Sequence, residues 1–377
     1  MDVKRAYRFR FYPTEAQAQV LAQTFGCVRF AYNHFLRVRT DAWMERQESI
    51  NYNTTSSMLT ALKKTSEHAW LNDVSSIPVQ QSLRHLQSAF SNFFAKRSQY
   101  PSFKKKNGTQ AAEYTASGFR LDGQRLRIAK LEGELKIRWS RTLPKAARVT
   151  TITISKDAAD RYFVSLLCDD VVHALPTCEG KIGIDLGLTH FAIASTGEKV
   201  AGPKAFAKYE AKLAKAQRSL AKKQKGSANR KKARLRVARI HARIADVRKD
   251  FLHQLSTRWV RENQVIAIET LGVVNMQKNR CLAKSIGDQG WSEFVRQLEY
   301  KGRWYGREIV GIDRWYPSSK RCSGCGHTLS KLPLSVRRWT CPSCGVEHDR
   351  DVNAARNVLA AGLAVHAHGE SASPLSR

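Results

Sequence analysis

Two Cys-x-x-Cys pairs near the C-terminus, Cys322/Cys325 and Cys341/Cys344, constrain this chain more than any other feature. Each short knuckle offers two thiolates, and a hairpin between the knuckles lets them converge on one tetrahedral ion, which is the spacing of a zinc ribbon. Two disulfides are the competing reading, and these need an oxidising compartment. The opening residues, Met1-Asp-Val-Lys-Arg-Ala-Tyr-Arg-Phe-Arg-Phe, mix charges with aromatics and lack the uninterrupted apolar stretch of a secretory leader. No segment reaches membrane-spanning length either, so a cytosolic or nucleoid location is expected. Four thiolates close the coordination shell, so one structural Zn²⁺ is expected to hold a module too small to bury a core of its own. Cys27, Cys168, Cys178 and Cys281 lack metal spacing and read as apolar thiols. The chemistry must lie elsewhere.

A chain of 377 residues with 42% hydrophobic content has room for two or three domains. Its 64 Lys and Arg against 32 Asp and Glu leave a formal net charge of +32, which calls for a polyanionic partner. Nucleic acid leads, with a ribosomal-protein-like scaffold as the bland alternative. The charge is densest between 204 and 249, where 17 Lys or Arg accompany two acids, Glu210 and Asp246. An apolar seam nevertheless persists there, through Phe206, Tyr209, Leu213, Ala216 and Leu220 and then Val237, Ile240, Ile244, Val247 and Phe251. Steps of three and four predict two antiparallel helices around Gly226. So one-sided a charge run favours nucleic acid over a merely solvated face.

At the N-terminus, Tyr7, Phe9 and Phe11 alternate with Arg8 and Arg10, the pattern of a half-buried strand. Thr14 is placed to cap a helix carrying Leu21, Phe25, Val28, Tyr32 and Phe35, and a second helix runs from Pro78 through Phe94. Residues 14 to 98 therefore read as a helical insertion. Period-two stretches from Phe119 to Trp139 and Val149 to Cys168 predict strands that join the first in a small β-barrel. The character then changes to Lys181-Ile-Gly-Ile-Asp-Leu-Gly-Leu, expected to open a central hairpin.

Three acids sit in contexts unlike those of ordinary surface residues. Asp185 sits within the first run, Glu269 ends Val265-Ile-Ala-Ile-Glu, and Asp351 opens a helix just past the cysteine module. A carboxylate in or at the end of a buried strand is costly unless paired or metal-bound. Strand-Asp, hairpin, helices, strand-Glu and helix-Asp is how an RNase H-like fold builds a two-metal nuclease site. Two Mg²⁺ ions, or Mn²⁺ in their place, would then serve in-line hydrolysis of a phosphodiester, leaving a 5′ phosphate. Asp349 competes with Asp351 for the third place and is otherwise expected to cap the helix. Arg350 is a candidate phosphate contact, and His348 is expected at the surface or beside the zinc rather than on it.

The blocks Gly183-Ile-Asp-Leu-Gly-Leu, Trp315-Tyr-Pro-Ser-Ser-Lys-Arg-Cys-Ser-Gly-Cys and His348-Asp-Arg-Asp-Val-Asn-Ala-Ala together resemble TnpB, the RNA-guided nucleases of bacterial insertion sequences. Arg29-Phe-Ala-Tyr-Asn-His-Phe-Leu and Tyr100-Pro-Ser-Phe-Lys-Lys-Lys extend the likeness over nearly the whole chain. The resemblance implies a multidomain α/β protein. A wedge-like β-barrel (1–13 and 101–178) would be interrupted by an α-helical recognition domain (14–100). A split RuvC-like nuclease (179–319, with a basic hairpin at 204–255, and 348–377 including the tail) would follow, with a zinc ribbon inserted at 320–347. It also implies a guide RNA transcribed from the transposon end, double-stranded DNA as target, and a short transposon-adjacent motif read by the protein. Tyr52, Ser56, Gln80 and Thr115 are candidates for that reading, because amides and hydroxyls can contact base edges. Catalysis would fall to Asp185, Glu269 and Asp351. Relatives lacking catalytic acids act as RNA-guided repressors, and here all three positions are filled. Strand transfer and an HNH-like centre at His327 and His348 are the remaining alternatives.

Overall fold

The computed structural model describes residues 1–144 and 147–367, so the end of the C-terminal tail assigned above lies outside the described residues. The chain divides into two compact units, residues 2–171 and residue 1 with 172 onward. In the first, β1 (Asp2–Phe11) leads into α1 (Glu15–Arg46), α2 (Tyr52–Leu62) and α3 (Ser76–Phe94). Strands β2 (Gln110–Thr115), β3 (Phe119–Asp122), β4 (Arg125–Ile128), β5 (Ile137–Arg138), β6 (Arg148–Lys156) and β7 (Tyr162–Val171) follow. Thr14 caps α1 as its sequence foretells: its hydroxyl accepts from the Gln17 N–H at 3.2 Å while the Gln17 side chain accepts from the Thr14 N–H at 3.1 Å.

The main sheet of this unit is antiparallel in the order β2-β6-β7-β1-β5. Tyr7, Phe9 and Phe11 face inward opposite Leu166, Val164 and Tyr162, so the period-two reading of β1 is realised. The expected barrel is not. Among the described residues the edge strands β2 and β5 do not pair, and the sheet stays open. Its inner face is covered instead by Leu21, Phe25 and Val28 of α1 and by Leu126 and Ile128 of the β3–β4 hairpin. Those side chains bury the apolar face that barrel closure would otherwise bury. The helices keep a separate core of Phe35, Leu36, Leu59, Leu83 and Leu86.

The second unit is built on β8 (Lys181–Leu186), β9 (Ala192–Ala194), β10 (Lys199–Val200), β11 (Val265–Glu269) and β12 (Glu308–Ile312). The order is β10-β9-β8-β11-β12, with β8, β11 and β12 parallel and the β8–β9 hairpin antiparallel. Helices α4 (Ala205–Ala221), α5 (Ala228–Glu262), α6 (Val273–Met276), α7 (Ala283–Gln289) and α8 (Trp291–Tyr305) separate the strands. A short hairpin of β13 (Arg338–Thr340) and β14 (Glu347–Asp349) precedes α9 (Arg350–Ala367). The N-terminal half of α5 and α4 close on their own seam, Phe206, Tyr209, Leu213 and Ala216 against Val237, Ile240 and Ile244. The C-terminal half of α5 joins α8 on the sheet.

Strand parity places every side chain here. Ile182, Ile184, Ile266 and Ile268 pack under Leu255, Trp259, Phe294 and Leu298 of α5 and α8. The intervening residues, Gly183 and Asp185 on β8 and Ala267 and Glu269 on β11, therefore point to the other face, where α9 lies. Helix and sheet approach so closely that a Cβ on Gly183 would overlap the Ala355 carbonyl oxygen, and one on Gly362 would overlap Ala267 Cβ. Gly362→Ala is accordingly expected to destabilise the protein by about 1–3 kcal/mol, overpacking outweighing the gain in helix propensity. Gly26→Ala, in α1 where a Cβ meets nothing within 4 Å, should stabilise by up to about 1 kcal/mol. Thermal melting of the two variants, shifting in opposite directions, checks both.

Candidate metal centres

The parallel register of β8 and β11 pairs Ile184 with Ile268, and its next step sets Asp185 and Glu269 abreast on the face under α9. Adjacent strands lie about 4.8 Å apart, so two half-buried carboxylates stand side by side there. Asp351 arrives from the first turn of α9, placed by Asp349, whose Oδ1 accepts from the N–H groups of Asp351 and Val352, both at 3.1 Å. Asp349 thus caps the helix and also binds Lys199 at 2.6 Å. The structure brings Asp185, Glu269 and Asp351 into one electrostatic neighbourhood. Burial first, then the charges of Glu269 and Asp351, push the Asp185 carboxyl well above the usual range, while Arg350 and Arg337 oppose the shift. Burial raises Glu269 as well, against a 2.6 Å hydrogen bond donated by the Ser318 hydroxyl to its Oε1.

Among the described residues only the cysteine quartet brings three or more donor atoms within 4.8 Å of one another; the three acids form a looser set, whose all-oxygen chemistry, with two members reluctant to ionise, suits a hard divalent cation. Asp185, Glu269 and Asp351 would hold it. Arg337, 3.4 Å from Asp351, is the nearest cation salt-bridged to the set. Arg350 departs from its expected role: it is buried and donates to the Pro333 carbonyl at 2.7 Å, tying α9 to the segment before β13.

The cysteine module repeats one local design. In each knuckle the first cysteine carbonyl accepts from a glycine N–H, Gly326 to Cys322 and Gly345 to Cys341, both at 2.9 Å. Those glycines have φ of +80° and +72°, a conformation costly for other residues. The four Sγ atoms lie within 4.8 Å of one another, with Cys322–Cys344 at 3.7 Å and Cys325–Cys341 at 3.6 Å. Thiolates around a tetrahedral Zn²⁺ stand about 3.8 Å apart for a bond near 2.3 Å, so the quartet fits structural zinc. His348 is not at the surface: it is 3% exposed, packs at a tilt against the Trp339 ring, and sets Nε2 3.0 Å from Cys322 Sγ. Burial, with Arg356, holds its ring below the usual histidine range, so a neutral N–H can support the thiolate.

Sequence reading passed over the residues that join these two sites. Asn357 Nδ2 donates to the carbonyls of Ser318 and Arg321 at 2.8 and 2.6 Å, and Asn353 bridges Arg321 O and the Ser323 N–H. Helix α9 thus holds the loop that carries both Cys322 and the Ser318 that touches Glu269. Position in the Asp-x-Asn-Ala-Ala block was the available signal.

In the other unit, Tyr52, Ser56 and Gln80 come together, with Gln80 Nε2 donating to Ser56 Oγ at 2.8 Å and to Tyr52 Oη at 3.2 Å. Arg84 stacks 4.6 Å over the Tyr52 ring. Thr115 ends β2 outside this hydrogen-bonded trio, its hydroxyl 3.5 Å from Ser117 Oγ. Gly118, after that turn, packs on Ile77 of α3.

Three family descriptions match this chain: "Helix-turn-helix domain" over residues 1–48, "Probable transposase" over 165–280, and "Cas12f1-like, TNB domain" over 291–358. Residues 1–48 here hold one strand and one long helix. A Streptomyces pristinaespiralis protein named "Putative RNA-guided DNA endonuclease" is 56% identical over 374 residues, covering 99% of this chain and 93% of its own. InsQ of Escherichia coli K12, of like name, is 34% identical over 97% of this chain and 94% of its own. The fold resembles a Cas12f1 chain solved in complex with guide RNA and target DNA, at a TM-score of 0.58 and 12% identity over 95% of this chain and 98% of that one. The chain thus joins a mixed α/β fold to a cysteine quartet, in the class of proteins that the probable-transposase description covers. Within it, this chain belongs to the TnpB/OrfB_IS605 family.

Two outcomes are expected. Cys322→Ser should abolish stoichiometric zinc and lower the folded yield, because the small core of Trp339, Leu329, Leu332 and Val336 cannot hold the ribbon alone; zinc analysis of purified protein reads this. Asp185→Asn should stabilise the protein in EDTA at pH 7. The native Asp185 carboxyl keeps its proton to higher pH than the unfolded one, so wild-type stability falls as pH rises from about 4 through the native value. The variant should lose the Asp185 share of that slope and keep the share of Glu269, which burial also raises, as denaturant titrations across pH would reveal.

Proposed function

We propose that the protein is an RNA-guided DNA endonuclease of an insertion sequence, and that Asp185, Glu269 and Asp351 are its catalytic acids. The observation that carries this is the approach of Asp351 from α9 to Asp185 and Glu269 on the sheet, the latter two with raised proton affinity. The names of its relatives supply the RNA-guided part. When bound, two Mg²⁺ supply Lewis acidity toward the attacking water and the leaving 3′ oxygen, giving 5′-phosphate products. The chain's own residues then have separate tasks. Asp185, Glu269 and Asp351 supply charge and donor oxygens, Ser318 fixes one oxygen of Glu269, and Arg337 sets a cation beside Asp351.

In this reading residues 179–319 and 348–377 form a split RuvC-like nuclease, 320–347 its zinc ribbon, 1–13 and 101–178 a wedge, and 14–100 the recognition domain. A guide RNA from the transposon end pairs with double-stranded target DNA, so the protein needs charge and shape rather than a large base-reading surface. The +32 charge and the basic hairpin of α4 and α5 support this. Tyr52, Ser56, Gln80 and Thr115 would read the transposon-adjacent motif. Both amide protons of Gln80 are engaged by Tyr52 and Ser56, so its carbonyl oxygen is the group it would offer a base edge. The nuclease would act in the cytoplasm, on nucleoid DNA.

The test is cleavage of guide-matched DNA by protein purified with its co-expressed RNA, in Mg²⁺ against EDTA. Asp185→Ala should keep RNA and DNA binding yet lose cutting by about a thousandfold or more, several kcal/mol of charge stabilisation. Undiminished cutting by that variant would sink the assignment.

A further inference from the structure

Trp315 is 84% exposed, the most exposed large apolar side chain among the described residues, whereas Trp259, Trp291 and Trp339 are buried. A single exposed apolar residue ordinarily needs no account. This one sits on a turn pinned at both ends. Asp313, just past β12, accepts the Trp315 N–H through Oδ1 at 2.7 Å, and its carbonyl accepts from the Tyr316 N–H at 3.2 Å. Tyr316 turns inward against Ala267, Ile312 and Val358. Ser318 is held by Glu269 at 2.6 Å and by Asn357 on its carbonyl at 2.8 Å. The neighbouring Arg314 guanidinium lies over Gly272, three residues past Glu269, with Nη1 3.6 Å from where a Cβ would stand. A rigid turn therefore carries an indole in water and a cation to the edge of the carboxylate cluster.

We propose that Trp315 is a stacking platform for an unpaired nucleobase of the strand that enters the acid cluster, with Arg314 beside the following phosphate. The inference rests on the nuclease reading above and adds a binding subsite to it. An indole face holds any base without reading it, which suits an active site whose target is chosen by pairing elsewhere. A flexible loop could not do this, since ordering it would offset the stacking energy. The turn here is already ordered by Asp313, Ser318 and Asn357.

The experiment uses the RNA-loaded complex and guide-matched DNA, intact or with abasic nucleotides flanking the mapped cut. With intact DNA below saturation, Trp315→Ala should cut about tenfold more slowly and Trp315→Phe within about threefold of wild type, the loss of one stacked base. Abasic DNA should slow the wild type similarly and Trp315→Ala no further. In EDTA, a 5-iodouracil at the same positions should photocrosslink to Trp315. Unchanged cutting by Trp315→Ala, an additive loss on abasic DNA, or crosslinks that map elsewhere would overturn the platform and point to a protein-contact or purely structural residue. Crosslinking to Trp315 without any Mg²⁺-dependent cleavage would support the platform and overturn the nuclease reading instead.

Discussion

The seating of α9 on the central sheet is the contact on which the rest of the second unit depends. Only glycine at 183 and 362, with alanine at 267, lets the helix come near enough for its first turn to meet the ends of β8 and β11. That proximity sets Asp351 beside Asp185 and Glu269. It also brings Asn353 and Asn357 onto the backbone of the loop 318–323, so the same helix holds Ser318 against Glu269 and presents the first zinc knuckle. Larger side chains at those positions would strengthen neither packing nor chemistry, because they would lift the helix away from the acids.

Clustering carboxylates in a partly buried pocket opposes folding. Asp185 and Glu269 lose hydration, and the charges of Glu269 and Asp351 raise the proton affinity of Asp185 further. The compensation comes from elsewhere: the isoleucine layer under α5 and α8, the capping of α9 by Asp349, and a ribbon whose cysteine quartet fits structural zinc. A metal binding the acids would relieve the repulsion, which couples site occupancy to stability.

Much of this was legible in the residues. The cysteine spacing announced the ribbon, alternation announced β1, and seams of three and four announced the basic hairpin. Asp185 and Glu269 stood out because each breaks or ends an apolar run, and Asp351 because it opens the helix just past the cysteines. Other features were not legible. The barrel expected of the first unit is an open sheet, since alternation reports that a face is buried but not whether a strand or a helix buries it. Arg350 looked like a phosphate contact and is a buried brace, because a side chain's partner depends on segments far along the chain. Ser318 and His348 acquired their roles from contacts 49 and 26 residues away in sequence.

By itself, then, the sequence determined what is local: the strand β1, the helix capped by Thr14, the two basic helices around Gly226, which cysteines are spaced to share an ion, and which carboxylates stand in costly places. Only the tertiary structure decided which helix covers the sheet face that carries Asp185 and Glu269, how closely it approaches, and which distant serine, asparagine and arginine side chains complete the site. Local periodicity follows from the geometry of the backbone, whereas those partners are chosen by packing among segments that lie far apart along the chain.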